Sequence, residues 1–267
     1  MNLIKVDKSL CTKCGACTKV CPTTALCMKE DGPEYNNLNS CIACGQCAAV
    51  CPCGALDNVK TPLCNQIETK DFKGLDSKTA EYFLRSRRSI RCYKNTPVPY
   101  EELLKLVNIA HFAPTASNSQ GVSYIIVRDK KILEKSTEII VKWMEDNVEL
   151  HWSFSRHINN YRKNGMDSIL RDAHHIILAT APKDFRNGRE NTISALSYVE
   201  LFAPTLGLGS CWAGLFEICA FSNYGPLLDL FNTPKDKIIT GALMVGYPKY
   251  KYKRLVDRNP LDVICIG

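Results

Sequence analysis

The chain has 267 residues, 45% hydrophobic and 23% charged, with 15 Gly and 13 Pro. That composition excludes a disordered, collagenous or coiled-coil protein. The net charge of +7 is spread thinly with no long basic run, so it leaves no footprint for nucleic acid. The count out of proportion is 15 Cys.

Their placement decides their meaning. Cys11, Cys14, Cys17, Cys21, Cys27, Cys41, Cys44, Cys47, Cys51, Cys53 and Cys64 fall before residue 66; Cys92, Cys211, Cys219 and Cys265 are the only ones after it. A secreted disulfide scaffold would be short and would follow a signal peptide, and residues 1–8 have no apolar core for one. No run of about 18 apolar residues occurs, so no membrane span is expected. The nearest candidate, 201–216, is interrupted by Pro204, three glycines and Ser210. A reducing, cytoplasmic setting follows as the expectation, and clustered cysteines there carry metal or redox chemistry.

The first predicted element is a repeat. Residues 11–26 (CTKCGACTKVCPTTAL) and 41–56 (CIACGQCAAVCPCGAL) are identical at nine of sixteen positions at an offset of 30, the four Cys and the Pro included. Each copy is C-x2-C-x2-C-x3-C-P. Tetrahedral zinc also uses C-x2-C pairs, but it takes two ligands, a spacer and two more, not three thiolates in seven residues followed by Cys-Pro. The repeat resembles the two-cluster bacterial ferredoxins, whose three closely spaced cysteines hold one 4Fe–4S cluster while the fourth reaches across to the other. That resemblance implies two 4Fe–4S clusters. Cluster one would use Cys11, Cys14, Cys17 and Cys51; cluster two would use Cys41, Cys44, Cys47 and Cys21. Gly15 and Gly45 suit backbone wrapped closely around a cluster, and Pro22 and Pro52 would lock the loop of the fourth ligand. Cys27, Cys53 and Cys64 match no ligand position. Residues 1–60 carry six Lys and five acids. Two clusters of about −2 each would therefore bring this part to about −3, beside a remainder of +6 (28 basic, 22 acidic).

Residues 57–79 lack apolar periodicity and contain Pro62 and Gly74, so they read as a surface linker. From Thr79 a helical pattern (Tyr82, Phe83, Leu84) leads into a basic cluster at 85–91. A second helix starts near Pro99 with Leu103, Leu104, Leu106, Val107 and Ile109 on its core face. Strands are predicted at Ser123–Val127, Ile176–Ala179 and Ile238–Val245, and long helices near 130–147 and 190–206. The expected fold is α+β, helices around a small sheet. His174 and His175 precede a strand and read as satisfied core or edge histidines.

R-R-S-I-R-C-Y-K-N-T-P-V (87–98), A-P-T-A-S-N-S-Q (113–120), G-L-G-S-C-W-A-G-L-F (207–216) and G-Y-P-K-Y-K-Y-K-R-L-V-D-R (246–258) resemble, in order, the motifs of FMN-dependent nitroreductases. Together the two resemblances imply a fused ferredoxin–nitroreductase: residues 1–60 a ferredoxin-like domain, 61–78 a linker, and 79–267 an FMN-binding domain with a mixed, mainly antiparallel sheet. Arg87, Arg88 and Arg91 are permanently charged donors suited to a flavin phosphate, and Ser89 adds a hydroxyl. By resemblance, Pro114, Thr115, Ala116 and Ser117 of a dimer partner line the flavin ring, with Asn118 and Gln120 continuing that loop; Ala116 replaces a usual hydroxyl. Gly214 and Leu215 stand where a backbone N–H meets flavin N5, and Arg258 stands where a basic residue returns to the phosphate. The mid-chain Asn of the family falls among Asn147, Asn159, Asn160 and Asn164. The aromatic stretch 143–161 matches the family's roof over the flavin, though an ordinary helix-pair core fits it equally. No side chain is assigned a catalytic role; flavin N5 is the reactive atom. G-L-G-S-C-W-A-G lacks the third glycine and acidic follower of a dinucleotide fingerprint.

The function expected is electron flow from the clusters through FMN to a nitroaromatic or other small planar electron acceptor. A low-potential donor such as reduced ferredoxin would supply the electrons to a homodimer. The competing expectation is a non-catalytic module relaying electrons to a partner protein.

Overall fold

In the computed structural model, which describes residues 3–267 apart from the side chain of Leu38, the chain packs as two units. One holds the residues up to Gly74 together with Ser117–Ser119; the other holds Leu75–Ala116 and Gln120–Gly267.

The first unit is built twice from the same plan. Its elements are β1 (Ile4–Val6), α1 (Ala16–Lys19), β2 (Leu26–Lys29), β3 (Gly32–Tyr35), α2 (Gln46–Ala49) and β4 (Leu56–Asn58). β2 pairs antiparallel with β3, Leu26 opposite Tyr35, and β1 pairs antiparallel with β4, Val6 opposite Leu56. The sequence offset of 30 carries Leu26 onto Leu56, so the two ribbons are copies of each other. Left-handed backbone recurs in the same register: Lys13 with Ala43 (φ 55° and 53°), Gly15 with Gly45 (77° and 72°) and Thr24 with Gly54 (50° and 61°). Gly15 and Gly45 take this conformation without penalty, whereas non-glycine residues held there cost of order 1–3 kcal/mol each. The buried core is small: Ile4, Cys17, Leu26, Cys47, Ala48 and Leu56.

The second unit runs α3 (Ser77–Ser86), α4 (Tyr100–His111), β5 (Ser123–Val127), α5 (Lys130–Asp146), α6 (Phe154–Asn164), β6 (His175–Pro182), α7 (Gly188–Phe202), β7 (Gly209–Trp212), α8 (Gly214–Phe221), α9 (Gly225–Leu230) and β8 (Lys237–Gly246). Asp76 caps α3 by accepting from Lys78 and Thr79 N–H, and Asp129 caps α5 through Lys131 N–H. The sheet order is β5-β6-β8-β7 with every named pair antiparallel; a parallel pairing comes from the isolated bridge Ser89–Ser210. β6 is buried on both sides, and its two-residue period splits it. Ile176 and Leu178 pack with Ile140, Met144, Phe154 and Phe216, while Ile177 and Ala179 pack with Leu103, Leu106, Leu196 and Val199. Helices therefore cover both faces.

β6 and β8 run longer than predicted, because their outer residues are pinned by pairing as well as by apolar character. β7 was read only as a motif, since its Gly-Ser-Cys-Trp carries no alternation. β4 places Asp57 and Asn58, which carry no apolar periodicity, in a strand.

Candidate functional site

The cysteine repeat folds into two separate pockets of thiols. A small cavity is lined by Cys21, Cys41, Cys44 and Cys47; another is lined by Cys11, Cys14, Cys17, Cys51 and Cys53. The structure thus gathers each predicted ligand set and exchanges the fourth cysteines between the halves. Backbone N–H groups already aim at sulfur: Ala25 N lies 3.3 Å from Cys21 Sγ and Ala55 N lies 3.3 Å from Cys51 Sγ. Tyr35 donates its hydroxyl to Cys41 Sγ (3.7 Å), and Asn58 Nδ2 donates to Cys47 Sγ (3.8 Å). Sequence reasoning missed both partners, which lie outside the cysteine motif. Of the unassigned cysteines, Cys27 is half-buried and Cys64 exposed. Cysteines converging on each small cavity, four on one and five on the other, with N–H donors at sulfur, match the donor set of a thiolate-held cubane.

In the second unit the basic segment, the 207–216 motif and the start of the 246–258 motif meet at one edge of the sheet. Ile90 N donates to Ser210 O (2.9 Å), Lys94 N to Tyr247 O (2.8 Å) and Lys249 N to Cys92 O (3.0 Å). Segment 89–94 is thereby laid against β7 and the end of β8. The contact is close: a Cβ on Gly209 would collide with Ile90, and one on Gly246 would stand 2.8 Å from Tyr93. Arg88 lies over the Tyr252 ring at 5.1 Å, and Arg91 Nη1 reaches Ser89 O at 3.5 Å. Arg87 Nη1 lies 3.2 Å from Glu200 Oε1, and Glu200 Oε2 accepts from Trp212 Nε1 at 2.9 Å. One buried carboxylate on α7 therefore holds both an arginine of the basic cluster and the indole that precedes Gly214.

Gly214 opens α8, so the first N–H groups of that helix have no intrahelical acceptor. Nothing lies within 4 Å of where a Cβ on Gly214 would stand. Free N–H groups beside open space, next to an arginine cluster, fit a flanking flavin. The turn is braced by a second pair: Glu217 accepts from Arg189 at 3.1 and 3.2 Å and from Ala242 N at 2.9 Å, while Arg189 also stacks on Trp212.

The loop at 113–120 is more strained than its sequence indicates. Ser117, Asn118 and Gln120 all have φ near +50°. Its anchors are Asn191 Oδ1, which accepts from Ala116 N at 2.9 Å, and Thr115 Oγ1, which accepts from Gln120 N at 3.1 Å. Asn191 is an anchor that sequence reasoning missed, on a buried face of α7. Asn147 instead closes α5 by donating to Trp143 O. Ser117–Ser119 belong to the first unit, where Asn118 Nδ2 donates to the carbonyls of Ile42 and Ala43 at 3.1 and 2.9 Å. Pro114 is exposed, and Arg258 is exposed in the segment after β8.

The aromatic stretch divides between core and surface. Trp143, Met144, Phe154 and His157 are core residues, with Trp143 and Phe154 edge to face at 5.6 Å. Trp152 is the ring left open, 82% exposed and under Arg156. His175 is satisfied on one side only. Its Nε2 accepts from Val98 N at 2.8 Å while Nδ1 is buried without a partner, and burial pushes its pKa down to about 4.

A sequence model described as the nitroreductase family matches residues 84–247, well over half of the chain. The chain belongs to the nitroreductase family. A model described as a 4Fe-4S dicluster domain matches residues 3–52, so this nitroreductase carries a dicluster domain fused ahead of its flavodomain. Iodotyrosine deiodinase of Thermotoga neapolitana is 26% identical over 176 residues, 64% of this chain and 90% of that one. The FMN reductase (NAD(P)H) of Bacillus subtilis is 27% identical over 174 residues, 62% of this chain and 64% of that one. Among solved structures, a nitroreductase with bound FMN from Bacteroides fragilis aligns with a TM-score of 0.57 at 17% identity, covering 72% of this chain and 98% of that one; this likeness establishes the fold. Among the described residues, no helix is long and apolar enough to cross a membrane.

Proposed function

We propose that this nitroreductase is an FMN-dependent oxidoreductase fed by its own two 4Fe–4S clusters. Its acceptor is a nitroaromatic or another electron-poor, planar small molecule. The observation that carries the reading is the pair of cysteine-lined cavities on the same chain as a nitroreductase-family domain. Cys11, Cys14, Cys17 and Cys51 hold cluster one, and Cys41, Cys44, Cys47 and Cys21 hold cluster two.

Bound FMN supplies a two-electron store that takes electrons singly and releases a hydride equivalent. The chain's part is to hold and orient it. Arg87, Arg88 and Arg91, with Ser89, bind the phosphate, and Arg258 adds charge from the C-terminal segment. Glu200 keeps Arg87 in place. The backbone N–H groups of Gly214 and Leu215 set the ring by a contact that side-chain drift leaves intact. Pro114, Thr115, Ala116 and Ser117, continued by Asn118 and Gln120, serve the ring of a partner subunit in a homodimer. No side chain acts as general acid or base, so protons come from solvent.

The test compares the full chain with residues 78–267, both reconstituted with FMN, under anaerobic conditions. Both should reduce a nitroaromatic when dithionite is supplied; only the full chain should do so with reduced ferredoxin as donor. An unchanged ferredoxin-driven rate after truncation overturns the electron path. Electron flow only when a protein acceptor is added turns the reading toward a relay module.

A further inference from the structure

We infer that the two clusters are electronically unequal: Tyr35, Asn58 and Thr23 make cluster two the higher-potential centre, so that it draws electrons from cluster one. This rests on the ligand sets assigned under the proposed function. The repeat serves as an internal control, since each side chain at one cavity has a counterpart at the other.

The backbone donors match. Ala25 N to Cys21 Sγ and Ala55 N to Cys51 Sγ are related by the offset of 30 and are both 3.3 Å long. The side chains do not match. Asn58 donates to Cys47 Sγ, and its counterpart 30 residues earlier is Met28, which lines the other cavity. Tyr35 donates to Cys41 Sγ from the position opposite Leu26. The position opposite Leu56 is Val6, again lining the other cavity. Thr23 Oγ1 lies 3.7 Å from Cys21 Sγ, and its counterpart is Cys53. Three of the four cluster-two thiolates thus have a polar side-chain partner where cluster one has valine, methionine and cysteine.

Each cluster with its four thiolates carries about −2 when oxidised and about −3 when reduced. A hydrogen bond to thiolate sulfur stabilises the more negative form and raises the reduction potential. Three features favour cluster one instead: Cys14 is exposed, an exposed Thr12 hydrogen-bonds to Cys14 where cluster two has Ile42, and Lys13 and Lys19 stand where cluster two has Ala43 and Ala49. Both lysines are exposed, so water and salt weaken their effect, whereas Asn58 is buried and the donors touch sulfur directly. The direct contacts decide the sign. One electron leaves cluster one, which returns to about −2, and enters cluster two, which goes to about −3; no bond changes and no proton moves.

The experiment is an anaerobic redox titration of the full-length chain, followed by low-temperature electron paramagnetic resonance, at low and high salt. Two resolved one-electron steps are expected, further apart at high salt as the lysines are screened. Tyr35→Phe and Asn58→Met should each move only the upper step to lower potential, and together bring the steps toward coincidence. Tyr35→Phe alone decides the matter where Asn58→Met fails to hold iron. Coincident steps in the parent chain at high salt, or a shift of the lower step in the variants, overturns the inference while the ligand sets stand. About four iron per chain, or zinc in place of iron, overturns the ligand sets and the inference with them.

Discussion

The two units are held together by different means. The first has a core cluster of six buried residues, two of them cysteines, and sets several non-glycine residues in left-handed backbone. The second buries two hydrophobic clusters, each more than twice that size, on either side of one sheet. A core that small cannot offset the chain entropy of about seventy residues, so metal binding must supply folding energy in the first unit. The second has core enough that the same argument does not apply to it. Its site is a matter of where the finished scaffold leaves arginines and free N–H groups.

The largest effect that would break this contrast is removal of iron. A chelator should unfold β1–β4, read as loss of amide-exchange protection there, while β6 and β8 stay protected. Protection retained in β1–β4 would show a self-sufficient first unit. Next in size is Arg87→Ala or Arg91→Ala, each expected to weaken FMN binding by about 2–4 kcal/mol with iron content unchanged. Dialysis followed by flavin and iron assays checks this, and FMN retained in both variants would place the phosphate elsewhere.

Acid should sharpen the contrast from the other side. The folded-state pKa of His175 is depressed to about 4, below its ordinary 6.5, and burial lowers that of His157 as well. The unfolded chain therefore binds more protons between those values. Stability of the second unit is full above pH 6.5 and falls as pH drops toward 4, by up to about 3 kcal/mol for His175. All three tryptophans, Trp143, Trp152 and Trp212, lie in that unit, so denaturant melts followed by their fluorescence report it alone. His175→Gln should flatten the dependence. The smallest effect belongs to Glu217→Gln, which keeps an acceptor for Ala242 N but loses the charge facing a half-exposed Arg189. About 1 kcal/mol of destabilisation is expected, and a change above 3 kcal/mol would mean the pair holds more of α8 than this.

Legibility follows the same division. The cysteines that line each cavity could be read from sequence because thiolate chemistry imposes spacing, and the resemblance to two-cluster ferredoxins supplied the exchange of fourth cysteines. Ser123–Val127 was read to the residue because its apolar character coincides with its pairing limits. Glu200, Glu217 and Asn191 were not legible. Each is a polar residue on a helix whose partner lies on a distant segment, and no local period marks it. The aromatic stretch could be read both as core and as an open surface because burial and exposure alternate within it: Phe154 faces the core and Trp152, two residues earlier, faces water.

The segment 66–76 between β4 and α3 has no regular structure, and it leaves Ile67 and Phe72 almost bare. In an iron-starved chain it would join an unfolded front to a folded back, which is what a protease needs to cut once and stop. Turnover would then be graded rather than all-or-none. Loss of the metal would strip the molecule to its second unit, so the length of the surviving polypeptide would record the metal supply under which it was made.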